Sequence, residues 1–155
     1  MTVLEILEAL RARRMKITAA ESCTGGLVAA AITDIPGSSE VFERGFVTYS
    51  NAAKREMLGV SQESLATFGA VSEEVVREMA LGALDAARAD IAIAISGIAG
   101  PGGSEFKPEG RVCFGLAQAG RARSHTIEFG ALGREKVRRA ARAHAFTLIA
   151  QALQP

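Results

Sequence analysis

Ser22 stands in Ala19-Ala20-Glu21-Ser22-Cys23-Thr24-Gly25-Gly26, between a short apolar run and the helix-forming Leu27-Val28-Ala29-Ala30-Ala31-Ile32. A strand that turns into a helix through two glycines leaves backbone N–H groups unpaired and aimed at one spot. Such a spot favours negative charge, either a phosphate or the oxyanion that develops when a hydroxyl attacks a carbonyl. The N–H groups of Thr24, Gly25 and Gly26 are the candidate donors. Taken alone, Ser22 or Thr24 reads more simply as a helix N-cap. Cys23 is a rival nucleophile, because a helix N-terminus stabilises a thiolate, although a buried inert cysteine is the commoner case.

A serine nucleophile needs a base. His125 falls in a strand pattern and His144 deep in a helix pattern, both better read as packed or solvated side chains, so a Ser–His–Asp triad is poorly supplied. Lys54 is the better candidate. It falls in the first turn of a helix that follows Gly45-Phe46-Val47-Thr48-Tyr49, where the macrodipole opposes a cation. That potential, together with desolvation, favours the neutral amine a base requires. A solvated lysine that tolerates the dipole is the plainer reading of Lys54 by itself, and its pairing with Ser22 shifts the balance. Tyr49, the only tyrosine, is placed to hydrogen-bond substrate or to position Lys54, or else to sit at a sheet edge as an ordinary amphipathic residue.

Two further stretches complete the set. Ser96-Gly97-Ile98-Ala99-Gly100-Pro101-Gly102-Gly103 is a second glycine-rich loop after an apolar strand. Neither loop is a Walker phosphate loop or G-x-G-x-x-G, and the first lacks the G-x-S-x-G elbow. Arg134, Arg138 and Arg142 recur every four residues in the last helix. Arg134 and Arg138 border its Val137, Ala141, Ala145 and Leu148 face and can grip a phosphate, unless they form a solvated stripe.

The elements that position these residues follow from periodicity. Leu4, Ile6, Leu7 and Leu10 mark an amphipathic first helix, with Glu5 and Glu8 arguing against a signal peptide. Strands are expected over 16–20, 45–49 and 91–95, and an antiparallel pair over 112–119 and 124–129. Helices are expected from Thr24 to Thr33, from Ser50 or Asn51 to Leu58 with Gly59 as the stop, over 61–68, from Ser72 to Arg88 and from Gly133 to Leu153. The alternation predicts one α/β domain, a three-layer α/β/α sandwich on a mostly parallel, mixed sheet. In such sheets ligands bind beyond the carboxyl ends of the strands, where both glycine loops and Tyr49 fall.

The chain has 155 residues, a formal net charge of +1, 48% hydrophobic and 5% aromatic residues. This fits one globular domain, with no global field for nucleic acid or membrane and few rings for base stacking. Seven basic residues between Arg121 and Arg142 face only Glu128 and Glu135, but without a recognised nucleic-acid module. Two cysteines and two histidines at no metal-ligand spacing predict neither a disulfide framework nor a metal site. No apolar run reaches a membrane span, and the cytoplasm is the expected location.

Four stretches together resemble the CinA C-terminal domain family, the nicotinamide-nucleotide amidohydrolases: Ala20 to Gly26, Gly45 to Asn51 with Lys54, Gly69-Ala70-Val71-Ser72, and Ser96 to Gly103. The resemblance runs from about Leu4 to Leu153 and is to the stand-alone form, without the extra N-terminal domain of longer members. It implies deamidation of nicotinamide mononucleotide to nicotinic acid mononucleotide and ammonia, in pyridine nucleotide recycling, with no cofactor and with a homo-oligomeric assembly. It implies Ser22 as nucleophile, Lys54 as base, Tyr49 assisting, Ser96 lining the site, and Arg138 binding the substrate, at its phosphate. The sequence departs from the family where Lys107-Pro108 is followed by Glu109-Gly110-Arg111, so that loop's part in substrate choice stays open. The competing class is a non-catalytic nucleotide- or phosphate-binding module linked to DNA competence or repair, against which stands the presence of both Ser22 and Lys54.

Overall fold

The computed structural model describes residues 1–104 and 106–155. Its elements run α1 (Val3–Ala12), β1 (Ile17–Glu21), α2 (Leu27–Thr33), a 3-10 turn (Ser38–Glu40), β2 (Phe46–Val47), α3 (Asn51–Leu58), α4 (Gln62–Phe68), α5 (Glu73–Ala87), β3 (Ile91–Gly97), β4 (Arg111–Gln118), β5 (Arg121–Glu128) and α6 (Arg134–Ala152). The five strands form one mixed sheet in the order β2-β1-β3-β4-β5. β1 pairs in parallel with β2 and β3, and β4 runs antiparallel between β3 and β5. The β4–β5 hairpin turns through Ala119 and Gly120, both at positive φ, the conformation that a two-residue hairpin turn favours.

β3 shows why the layers form. Ile91, Ile93 and Ile95 face one way, into a core with Ile6, Leu7 and Leu10 of α1, Val28 and Ile32 of α2, and Val137, Ala141 and Ile149 of α6. Ala92 and Ala94 face the other way, into a second core with Val75, Val76, Met79 and Ala83 of α5. Small residues on that second face let α5 lie close: a Cβ on Gly115 of β4 would stand 2.4 Å from the Val76 carbonyl oxygen. α3 is drawn in equally tightly, since a Cβ on Gly82 of α5 would stand 1.9 Å from Leu58 O. The three-layer α/β/α sandwich expected from the sequence is the fold observed.

Helix ends follow the expected chemistry. Side chains of Ser50, Ser61 and Ser72 accept the N–H groups of Ala53, Ser64 and Val75. Gly59 ends α3 in the left-handed conformation. β3 runs on to Gly97 and β5 begins at Arg121, each beyond its expected bounds, and two further shifts lie at the site. α2 begins at Leu27 rather than Thr24, because Gly25 and Gly26 adopt φ of 56° and 108° and carry a non-helical turn. Its N-cap is Gly26, which corrects the N-cap reading of Ser22 and Thr24. β2 spans two residues rather than five, because the Thr48 and Tyr49 carbonyls turn out of the ladder toward Lys54.

Candidate active site

The carboxyl ends of β1, β2 and β3 open onto one cavity of about 360 Å³. Ser22 and Cys23 enter it from the end of β1, Tyr49 from beyond β2, Asn51 and Lys54 from α3, and Ser96 and Gly97 from the end of β3. The segment from Ile98 to Ser104 forms one wall, Ala70 and Val71 another, and Arg134 of α6 stands at the rim. The convergence expected from strand ends is therefore present, and it brings Ser22 and Lys54 into contact.

Lys54 is 1% exposed, although a lysine is among the side chains least often fully buried. Its Nζ lies 3.0 Å from Ser22 Oγ and donates to Thr48 O at 2.8 Å and Tyr49 O at 3.3 Å. The two carbonyls fix the amine from one side and leave the serine oxygen on the cavity side. Two carbonyl acceptors that turn out of an edge strand are thus what aims the lysine. Ser22 itself is 8% exposed, at the mouth of the turn.

Cys23 lines the same cavity beside Ser22. Burial pushes its thiol up to about 12, which disfavours the reactive thiolate. It also packs against Gly97, where a Cβ would stand 3.1 Å from the Cys23 sulfur and 2.7 Å from a Val112 methyl. Gly97 is therefore needed for close packing at the end of β3.

The turn after Ser22 has consumed some of the donors assigned to it. Gly25 N–H donates to Ser22 O and Leu27 N–H to Thr24 O, each at 3.0 Å. The first N–H groups of α2 are also occupied: Glu21, 1% exposed, accepts Val28 N–H at 2.9 Å and Ala29 N–H at 3.1 Å. The negative charge at that helix N-terminus is thus supplied by the protein's own carboxylate. The Val28 and Ala29 N–H groups are therefore occupied from within the protein.

The two arginines separate. Arg134 donates to Gly100 O at 2.6 Å and to the Tyr49 hydroxyl at 2.7 Å, and it lines the cavity. Arg138 donates through Nε to Cys23 O at 3.0 Å and through a terminal nitrogen to Thr24 O at 3.1 Å. Its guanidinium clamps the backbone of the Ser22 turn and does not line the cavity, nor do Thr24, Gly25 and Gly26. Four residues apart on one helix, the pair holds two different segments: Arg134 the second glycine loop and Tyr49, Arg138 the turn after Ser22.

Sequence reasoning missed Glu21, Asn51 and Glu109, and left Lys107 without a task. Lys107 Nζ donates to Phe68 O at 2.7 Å and Val71 O at 2.6 Å, holding the wall formed by Ala70 and Val71. Asn51 carried a signal, since the start of α3 at 50–51 was legible as a helix cap. Glu21 carried only its place in an otherwise apolar strand. Among the described residues, no three of His, Cys, Asp and Glu form a group that could hold a metal ion. Among them, too, no helix is long and apolar enough to cross a membrane.

A buried lysine thus meets a serine at the strand ends of an α/β/α sandwich. The model of the CinA C-terminal domain matches residues 2–153, and the chain belongs to that family. It is 59% identical over 152 residues to nicotinamide-nucleotide amidohydrolase PncC of Escherichia coli (strain K12), covering 97% of this chain and 92% of that protein. Against the protein of the same name from Enterobacter agglomerans it is 66% identical over 114 residues, 73% of this chain and 70% of the other. The crystal structure of a competence/damage inducible protein from Agrobacterium tumefaciens superposes with a TM-score of 0.89 at 46% identity, covering 96% of this chain and 92% of that one.

Proposed function

We propose that the chain is an amidohydrolase that converts nicotinamide mononucleotide to nicotinic acid mononucleotide and ammonia, in pyridine nucleotide recycling. The observation that carries this reading is the 3.0 Å contact between the buried Lys54 amine and Ser22 Oγ on the floor of the cavity. The names of the PncC relatives support the choice of carboxamide and nucleotide. A cavity of about 360 Å³ falls in the range of small-molecule sites, which run from about 300 to 1,000 Å³.

In the mechanism, Lys54 in its neutral form takes the Ser22 proton as Oγ attacks the carboxamide carbon. The backbone N–H of Cys23, the residue after Ser22 that also lines the cavity, is the candidate donor to the oxyanion, since those of Gly25 and Leu27 are bonded within the turn. Lys54 then delivers the proton to the departing nitrogen, and ammonia leaves an acyl ester on Ser22. Water, activated by the same amine, hydrolyses that ester and restores the serine. The pyridinium ring withdraws electrons from the carboxamide and so assists attack.

Tyr49 acts through its two contacts rather than by proton transfer: its carbonyl receives Lys54 and its hydroxyl receives Arg134. Arg134, at the rim, is the group for the phosphate end of the substrate. Ser96 and Gly97 line the pocket between them. The test is to incubate the purified chain with nicotinamide mononucleotide and to measure ammonia and the acid product together. Equal accumulation of the two supports the reading. Tight binding without either product points to a binding module instead.

A further inference from the structure

The loop Gly100–Gly103 forms much of one cavity wall, yet it carries no side chain that could hold itself in place. Glu109 supplies the hold. One of its carboxylate oxygens accepts Gly102 N–H at 2.6 Å, and the other accepts Gly133 N–H at 3.0 Å. The carboxylate packs against Gly100, where a Cβ would stand 2.5 Å from its carboxyl carbon and where a φ of 92° favours glycine. Gly133 is the N-cap of α6 and provides no side-chain cap of its own. The next residue is Arg134, which reaches back to Gly100 O at 2.6 Å and to the Tyr49 hydroxyl.

The contacts close a ring: Glu109 to Gly102 in the wall, Glu109 to Gly133 at the start of α6, and Arg134 from α6 back to the wall. From this geometry we infer that Glu109 is a positioning residue, which sets the Gly100–Gly103 wall and the Arg134 guanidinium at the cavity rim. The inference takes the amidase reading of the cavity as its basis. A carboxylate suits the task because two separate N–H donors need two acceptor oxygens, and a negative charge is favoured at the start of a long helix. A glutamine offers one oxygen and would turn its NH₂ against the second N–H. Both Glu109 oxygens are taken by backbone N–H groups of the wall and of the α6 start, so it governs how the substrate is gripped there rather than the bond that breaks.

The experiment compares Glu109→Ala, Glu109→Gln, Arg134→Ala and the double variant Glu109→Ala/Arg134→Ala with nicotinamide mononucleotide as substrate. Amide hydrogen exchange at Gly102 and Gly133 is read on the same proteins. Glu109→Ala is expected to raise KM roughly tenfold with kcat within about threefold of the parent, because the grip at the rim is misplaced while the dyad stays intact. Glu109→Gln falls between the two and keeps protection at only one of the two amides. In the Arg134→Ala background, removing Glu109 changes KM by about twofold or less, since the pair acts as a unit. An unchanged KM in Glu109→Ala overturns the inference, as do fully multiplicative effects in the double variant or unaltered exchange at both glycines. If the parent chain releases no ammonia, the amidase reading fails by itself, and exchange at Gly102 and Gly133 still decides whether Glu109 holds the wall.

Discussion

Replacing Lys54 by Met removes the amine and keeps the length and apolar stem of the side chain. The cost to stability includes the loss of its contacts with Ser22 Oγ, Thr48 O and Tyr49 O. Ser22 Oγ opens on the cavity and Tyr49 is exposed, so water can satisfy both. Thr48 is fully buried, and its carbonyl is the one left without its 2.8 Å donor. An unsatisfied buried acceptor costs about 1–3 kcal/mol, and in a chain of this size each kcal/mol lowers Tm by roughly 2–4 °C. The variant should therefore fold and melt roughly 2–12 °C below the parent. Activity should fall far more: general-base catalysis contributes about 10²–10⁴ in rate, which is about 3–5 kcal/mol of barrier. The assay is ammonia release from nicotinamide mononucleotide between about pH 6 and pH 9, paired with a thermal melt. A Lys54→Met variant that stays folded and turns over within about threefold of the parent across that range would refute the dyad, because losing a general base costs at least about 10².

The two arginines should separate kinetically. Arg134→Ala should raise KM with little change in kcat, whereas Arg138→Ala should lower kcat, because it frees the Cys23 and Thr24 carbonyls and loosens the turn that carries Ser22. The same KM increase in both variants would return Arg138 to the substrate-binding role that the family resemblance implies. Away from the cavity, His125 Nε2 lies 2.8 Å from His144 Nε2, and both rings pack on Phe114. Burial, with a smaller contribution from His125, holds the His144 imidazole below its ordinary value. The unfolded chain then takes up its proton first as pH falls through about 6.5, so stability is fully present above that pH and declines below it. Thermal melts at about pH 7.5 and 5.5 should show the decline, and His144→Gln should flatten it. A parent Tm that rises on acidification would reverse the sign of the argument.

Much of this architecture is legible in the sequence because it depends on local rules. Ile91-Ala92-Ile93-Ala94-Ile95 announces a strand covered on both faces, and its alternation of large and small residues also tells which face receives the closest helix. Ser50, Ser61, Ser72 and Gly59 mark helix ends that depend only on neighbouring backbone. The Ser22–Lys54 contact is legible one step further on, from the rule that loops at parallel-strand ends share a crevice. What was not legible depends on groups far apart in the chain. β2 reads as five residues because its composition favours strand, while Lys54 diverts two of its carbonyls. Glu21 reaches an α2 start that exists only because Gly25 and Gly26 fold back, and periodicity cannot show this. Helical spacing puts Arg134 and Arg138 beside the same core face, but it does not say that one meets a cavity and the other meets carbonyls. Glu109 joins residues seven and twenty-four positions away.

The central claim is that the hydroxyl beside the buried amine attacks the carboxamide, and the neighbouring thiol does not. Ammonia release from nicotinamide mononucleotide by Ser22→Ala and Cys23→Ala, measured side by side with the folded parent, tests it most directly. The account predicts that Ser22→Ala releases none above the uncatalysed background, while Cys23→Ala, whose thiol stays protonated up to about 12, keeps most of the parent rate. Full turnover by Ser22→Ala, with activity lost in Cys23→Ala, would contradict it.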